Sequence, residues 1–257
     1  MGWAYIEIIV IMQENPYSLQ SKTILVTGAS SGIGRQTAIS CSEAGARVII
    51  TGRNEKALQT TLSMLSGEGH SYFCCDLTSQ DELSAMTDSL PQLNGVVHCA
   101  GIGHRKLCRQ LTSEDVDSVM NINFKAPVLL QTALLTKKLL LPASSIVFIA
   151  SRASESPSIG NAVYSASKGA IISYSKCLAL ELAPKRMRVN CICPAMVWTD
   201  LILQGTATKK DLEQEQLKYL LKRFGQPQDV AYLAVYLLSD AASWMTKTSI
   251  DITGGGE

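Results

Sequence analysis

The sequence predicts an α/β fold: a single doubly wound domain whose parallel sheet is covered by helices on both faces. Three observations predict it. Apolar, β-branched runs alternate with segments of helical period; those runs are continuously apolar instead of alternating with polar residues; and a glycine-rich turn follows the first of them. A strand buried on both faces needs apolar side chains at successive positions, which is the signature of a parallel sheet.

The expected strands are 23–26, 47–50, 72–75, 95–99, 145–150 and 187–193, and the expected helices are 32–44, 56–65, 80–90, 113–140 and 162–183. No linker, repeat or low-complexity tract divides the chain, so residues 22–257 are read as one domain. Residues 1–21 are read as an N-terminal extension without function, with Met12 as an alternative start. The stretch 199–223 is charged and rich in Gln, and it follows the last of those expected strands. Ligands of open sheets bind beyond the carboxyl ends of the strands, so this excursion is read as a substrate lid, with a plain surface helix pair as the alternative.

Composition narrows the function classes. The 257 residues carry a formal net charge of +1, which leaves no basic excess for a phosphate backbone, and nucleic acid is not an expected partner. Residues 5–12 are apolar but include Glu7, lack a basic front and are too short to span a bilayer, so neither a signal peptide nor a membrane anchor is expected. Cys41, Cys74, Cys75, Cys99, Cys108, Cys177, Cys191 and Cys193 lack framework spacing and read as reduced, buried thiols of a cytoplasmic protein. Cys191 and Cys193 share a strand face, yet no His or Cys nearby completes a tetrahedral set, and no metal is expected.

The turn Thr27-Gly28-Ala29-Ser30-Ser31-Gly32-Ile33-Gly34 opens a helix directly after the first strand. Glycines there let the backbone approach a pyrophosphate, and the helix N-terminus offers free N–H donors; the arrangement is that of a Rossmann-type dinucleotide site. Ser30 and Ser31 add hydroxyl donors. Such sites often carry an acid about 20 residues further on for the ribose 2′-hydroxyl. Here that place reads Thr51-Gly52-Arg53-Asn54, so the repelling charge is missing and a guanidinium is present, which favours NADP over NAD.

Tyr164 and Lys168 stand four residues apart at the start of an expected helix and share a face. An ammonium held beside the phenol stabilises phenolate, so Tyr164 can give a proton to a carbonyl oxygen or take one from an alcohol. Ser151, at the end of the preceding strand, can donate a second hydrogen bond to that oxygen.

With these pieces in order, the sequence resembles the short-chain dehydrogenase/reductase family from about residue 22 to residue 256, and within it the 3-oxoacyl-acyl carrier protein reductases. The matching segments are the turn from Thr27 to Gly34, Asp76-Leu77, Ala100-Gly101, Asn123, Ser151, Tyr164, Lys168, the segment Pro194-Ala195-Met196-Val197-Trp198-Thr199, Arg223-Phe224-Gly225-Gln226-Pro227 and Gly254-Gly255. The resemblance implies Tyr164 as acid/base, Lys168 on the nicotinamide ribose, Ser151 orienting substrate and Asn123 positioning a water that links Lys168 to solvent. It implies cofactor contacts from Asp76 and Leu77 at the adenine, from Ala100 and Gly101, and from Pro194, Val197 and Thr199 at the carboxamide. Ala153, Asn161 and Met196 are the implied substrate-pocket residues, and a homotetramer or dimer is the implied assembly.

Three departures are visible: His98-Cys99-Ala100-Gly101 in place of Asn-Asn-Ala-Gly, Ala195 in place of Gly, and Lys247 where the family usually has Gly. His98 is read as a buried, hydrogen-bonded strand residue. Arg152 beside Ser151 raises the idea of an acidic substrate, although a strand-end neighbour can point away. An acidic acyl carrier protein would require basic residues at the pocket rim, for which Lys137, Lys138, Lys185, Arg186 and Arg188 are available. Three functions remain open: a 3-oxoacyl thioester reductase, a dehydrogenase of a sugar, polyol or other secondary alcohol, and a catalytically silent nucleotide sensor. Helices 113–140 and 162–183 carry apolar faces able to bury a subunit interface.

Overall fold

The structure, a computed structural model, describes residues 15–203 and 208–256. The opening apolar stretch and Met12 lie outside the described residues, as do residues 204–207 of the expected lid.

Seven strands form one parallel sheet in the order β3-β2-β1-β4-β5-β6-β7: β1 Thr23–Thr27, β2 Arg47–Gly52, β3 Ser71–Cys74, β4 Leu93–His98, β5 Leu140–Ile149, β6 Arg188–Pro194 and β7 Thr248–Ile252. The connecting helices are α1 Gly32–Glu43, α2 Glu55–Leu62, α3 Gln80–Ser89, α4 Ser113–Met120, α5 Ala126–Thr136, α6 Ala162–Leu182, α7 Asp200–Leu203, α8 Lys209–Glu215 and α9 Pro227–Leu238. Strand side chains alternate between two apolar layers. Leu25, Ile49, Val96, Ile146, Phe148 and Val189 pack with Leu130, Leu134, Ile171 and Leu178 of α5 and α6. Ile24, Val26, Val48, Ile50, Val97 and Val147 pack with Ala38 and Cys41 of α1 and Ala234 and Leu237 of α9. Two buried faces per strand explain the unbroken apolar runs.

Helix starts follow local chemistry. Asn54 caps α2 by accepting from Ala57 N at 3.0 Å, Thr112 and Asp115 form a reciprocal capping box at α4, and Pro227 opens α9, where an N–H has no intrahelical partner anyway.

Several expectations change. The predicted helix 113–140 is two helices joined by a π-helical turn, Asn121–Lys125, and it stops at Thr136. Lys138 takes a left-handed conformation (φ 55°), which closes α5, and Leu140 already pairs with Leu93 in the sheet. The apolar composition runs through both elements, so periodicity could not place the boundary; sheet pairing does. β7 escaped notice because Thr248-Ser249-Ile250-Asp251-Ile252 is a half-exposed edge strand without the continuous apolar signature. The folded unit also begins upstream of residue 22: Leu19 is fully buried, and Pro16 accepts a hydrogen bond from Ala241 N at 2.9 Å.

The basic residues considered for a pocket rim are displaced from it. Lys137 ends α5 and bonds Asp88 at 2.7 Å; Lys185 and Arg186 follow α6; Arg188 opens β6 and is buried, donating to Leu237 O at 2.7 Å and Ser239 O at 3.1 Å. With Lys138, they gather at the amino ends of β5 and β6, the end of the sheet opposite the ligand crevice of an open α/β fold. The thiols divide similarly: Cys41, Cys75, Cys191 and Cys193 are buried, whereas Cys74, Cys108 and Cys177 are exposed, and all eight are free.

Lys247, just before β7, is left-handed (φ 61°) with its N–H donated to Val189 O at 2.7 Å. An L-residue loses about 1–2 kcal/mol in that conformation, and glycine returns about 0.5–1 kcal/mol of it through chain entropy. Lys247→Gly is expected to raise Tm by about 1–3 °C while Lys247→Ala gives no gain; thermal melts of the two variants check this.

Candidate active site

The residues singled out from the sequence converge at the carboxyl ends of β1, β2, β4, β5 and β6. The chain passes outward in opposite directions from β1 and β4, and the crevice between such strands is where open α/β sheets bind ligands.

The glycine turn forms one wall. Gly28 (φ 64°) runs so close to the β4 end that a Cβ would lie 2.8 Å from the Ala100 backbone. Thr27 holds the two together: its Oγ1 accepts from Cys99 N and Ala100 N, both at 3.1 Å. A Cβ on Gly34 would lie 2.3 Å from Gly28 O, so α1 can start against the turn only with glycine there. Below, Thr61 Oγ1 donates to Ala29 O at 2.9 Å, and Arg35 donates to Ser30 O and, at 3.0 Å, to Thr61. Sequence reasoning missed Arg35 and Thr61, since neither touches the expected ligand.

α1 opens at Gly32 with no acid in its first turn, and the Ser31 hydroxyl makes no capping bond, so backbone donors stay available around Ile33 and Gly34. A bare N-terminus behind a glycine wall fits a pyrophosphate. At the end of β2, Arg53 is exposed with no ion pair among the described residues. Gly52 shares space with Ser30: a Cβ would come 2.4 Å from its Oγ. Asp76 accepts from Thr78 N at 2.9 Å and Thr78 Oγ1 at 2.7 Å; these bonds, with Arg53 nearby, hold its carboxyl below the usual range. Leu77 is buried beside it.

The second wall is built on α6. Lys168 is buried, its Nζ donates to Ile149 O at 2.9 Å, and it stands 5.7 Å from the centroid of the Tyr164 ring. Ser151 follows β5 in extended conformation; its Oγ accepts from Ala153 N at 3.1 Å, which leaves the hydroxyl proton free to donate. Asn123 projects from the π-turn and is buried: Oδ1 accepts from Ile102 N at 2.8 Å, while Nδ2 donates to Ile102 O at 3.0 Å and Ser167 Oγ at 3.1 Å. Ser167 in turn donates to Tyr164 O at 2.7 Å. A Cβ on Gly101 would lie 3.2 Å from Asn123 Oδ1 and 3.4 Å from Lys168 Nζ, so these two groups meet at the end of β4. Ser167 was legible only as a small residue between Tyr164 and Lys168, and the Ile149 carbonyl not at all, because a backbone acceptor has no residue code.

Pro194 to Thr199 lie across the crevice. Ala195 N donates to Ile252 O at 3.1 Å, and Met196 O and Gly225 O accept from Gly225 N and Trp198 N, both at 2.9 Å. A small apolar cluster of Leu212, Tyr219 and Phe224 packs beneath Met196, Trp198 and Ile202, anchoring the 199–223 excursion. Thr199 reaches the glycine turn, 3.2 Å from where a Gly32 Cβ would stand. Ala153 lies in the short turn after Ser151, and Asn161 donates to Ser158 Oγ at 2.9 Å just before α6. Arg152 pairs with Glu155 and, at 3.0 Å, with Asp251, so its charge is spent on the protein.

A phenol beside a fixed ammonium, a serine hydroxyl whose proton is free to donate and a glycine turn shaped for a dinucleotide match one known chain architecture. A family model described as enoyl-(acyl carrier protein) reductase matches residues 28–257. This chain is a short-chain dehydrogenase/reductase. The 3-oxoacyl-(acyl-carrier-protein) reductase of Rickettsia felis is 33% identical over 237 residues, covering 92% of this chain and 97% of that one. Among solved structures, the Brucella melitensis 3-ketoacyl-(acyl-carrier-protein) reductase complexed with NADH superposes with a TM-score of 0.83 at 26% identity, covering 93% and 99% of the two chains. A Beutenbergia cavernae protein described as an NAD(P)-dependent gluconate 5-dehydrogenase, with NADP bound at low occupancy, gives 0.83 at 28% identity, covering 94% and 98%.

Membership makes the protein an oxidoreductase of CH–OH and C=O groups that uses NAD(P). Among the described residues, no helix is long and apolar enough to cross a membrane.

In this short-chain dehydrogenase/reductase the departure at His98 is internal. The ring stacks on Phe148 at 4.5 Å, its Nε2 faces Gln131 Oε1 at 3.1 Å, and burial pushes it down to about 4. A histidine held neutral when folded and titrating near 6.5 when unfolded stabilises the fold above about pH 6.5, and that contribution is lost as pH falls towards 4. His98→Asn is expected to flatten the fall of Tm between pH 7 and pH 4.5; an unchanged slope in melts at the two pH values would show that His98 does not drive it.

Proposed function

We propose that this chain is an NADPH-dependent reductase of 3-oxoacyl thioesters, with Tyr164 as proton donor, Lys168 and Ser151 as its partners, and residues 199–223 as a substrate lid. The observation that carries the chemistry is the ammonium of Lys168, fixed between the Ile149 carbonyl and the Tyr164 ring. The 3-oxoacyl thioester is supported by the relatives named above and by the apolar Met196, Leu201 and Ile202 on the lid side of the cleft.

When bound, NADPH supplies the hydride. Gly28, Ser30, Ser31, Gly32, Ile33 and Gly34 would hold its pyrophosphate, Arg53 its 2′-phosphate, Asp76 and Leu77 its adenine, and Ala100, Gly101, Pro194, Val197 and Thr199 its nicotinamide half. Ser151 donates its free hydroxyl proton to the substrate carbonyl oxygen, and Tyr164 delivers the proton that converts that oxygen to a hydroxyl. Lys168 stabilises the phenolate left behind. Both Asn123 amide protons are committed, so a relay water at this residue has the second lone pair of Oδ1 as its side-chain partner.

Oxidation of a sugar or polyol is the second reading, favoured by the fold shared with the gluconate dehydrogenase. Ala153, Asn161 and Met196 line the proposed substrate pocket in either case, the homotetramer or dimer is the proposed assembly, and the cytoplasm the proposed compartment. Turnover of acetoacetyl thioesters with NADPH, set against alcohols with NADP and NAD, separates the readings; oxidation of polyols without thioester reduction overturns the first.

Tyr164→Phe is expected to lower kcat by about 10²–10⁴-fold while cofactor affinity stays within about twofold; retained turnover in the variant removes the proton-donor role, whereas a wild-type chain that turns over no carbonyl substrate revives the nucleotide sensor. Arg53→Ala is expected to weaken NADPH by about 10- to 100-fold and to leave NADH unchanged, as read from fluorescence titrations; equal losses would make Arg53 a bystander.

A further inference from the structure

The segment from Gly101 to Leu107 carries no helix or paired strand, and its exposure alternates strictly: Ile102, His104 and Lys106 are half-buried, while Gly101, Gly103, Arg105 and Leu107 are exposed. The inward residues are all tied down. Ile102 is gripped by Asn123, His104 Nε2 meets Asp115 Oδ1 at 3.0 Å, and Lys106 Nζ meets Asp115 Oδ2 at 2.5 Å. Lys106 first, then Thr112 and His104, hold the Asp115 carboxyl well below the usual range, so the clamp stays charged.

Of the exposed residues, the two glycines lie against the site. A Cβ on Gly101 would lie 3.2 Å from Asn123 Oδ1 and 3.4 Å from Lys168 Nζ, and one on Gly103 would lie 3.2 Å from Leu201 of α7. Arg105 and Leu107 are the next exposed residues in the alternation. At a strand's rise of about 3.3 Å per residue, the four residues from Gly101 to Arg105 span at most about 13 Å. No carboxylate among the described residues pairs with Arg105, because the one nearby, Asp115, is taken by its neighbours in sequence. Lys106 N also donates to Gly160 O at 2.9 Å, which brings the exposed Ile159 to the same lip as Leu107.

We propose that Arg105, held over the cleft mouth by the Asp115 clamp, is a specificity-determining residue that binds the phosphate of a phosphopantetheine arm carrying the acyl group. This rests on the thioester reading above. The reacting carbonyl lies by Tyr164 and Lys168, the arm leaves along the outward face of this segment past Leu107 and Ile159, and the guanidinium meets the phosphate in a fork geometry suited to it. Free coenzyme A and an acyl carrier protein present the same arm; Asp115 is a positioning residue.

The test compares kcat/KM of the full chain on acetoacetyl thioesters of N-acetylcysteamine, phosphopantetheine and coenzyme A. Arg105→Gln should lose about 10-fold or more on the two phosphorylated substrates and less than twofold on N-acetylcysteamine, with Arg105→Lys recovering part of the loss. Asp115→Asn, which keeps a capping side chain for α4, should lose in the same substrate-dependent way. Equal effects on all three thioesters, or none, overturn the proposal while leaving thioester reduction intact; a loss confined to coenzyme A also overturns it, by moving recognition to the adenosine phosphates. A wild-type chain that reduces no thioester removes the underlying reading as well.

Discussion

The burial of the Lys168 ammonium constrains everything around it. A cation withdrawn from water must be compensated by acceptors placed to receive its protons. Here the Ile149 carbonyl takes one, which fastens α6 to the end of β5 and sets the spacing between Tyr164 and Ser151. The face of the Tyr164 ring adds a weaker attraction of cation–π type. The same charge limits its surroundings: Gly101 carries no side chain where one would crowd Nζ, and the β4 end can therefore pass directly in front of it.

The π-helical turn between α4 and α5 complements that arrangement. One extra residue in a helical turn reorients the side chains that follow, and such turns cluster at functional positions. Here the turn carries a buried Asn123 that joins three elements which share no secondary structure: the Ile102 segment, α6 through Ser167, and the helix pair itself. Tyr164 is thereby held from both sides, by Lys168 along its helix and by Ser167 at its backbone.

Much of this was legible in the sequence. Continuous apolar runs and the glycine turn gave the doubly wound sheet, because burial on two faces leaves a pattern that single residues can carry. Tyr164, Lys168 and Ser151 were legible through helix spacing and a strand end, whereas Asn123 was legible only through the resemblance to the family. What escaped depends on partners distant in the chain. The break of helix 113–140 at Thr136 is decided by pairing of Leu140 with Leu93, and β7 is an edge strand whose polar residues mask it. Basic side chains at Lys137 and Arg188 looked available for a pocket rim only while the end of the sheet they occupy was unknown.

The overlap of Gly52 with Ser30 bears on how cofactor choice can evolve. An acid introduced at position 52 to grip a ribose would force the Ser30 hydroxyl to turn aside from its present place in the turn proposed to hold the pyrophosphate, so a gain at one end of the nucleotide is set against a loss at the other. The effects of changing the two positions are therefore coupled and will not sum. A lineage moving from one nicotinamide to the other must pass through both changes together, or through an intermediate that binds each cofactor poorly.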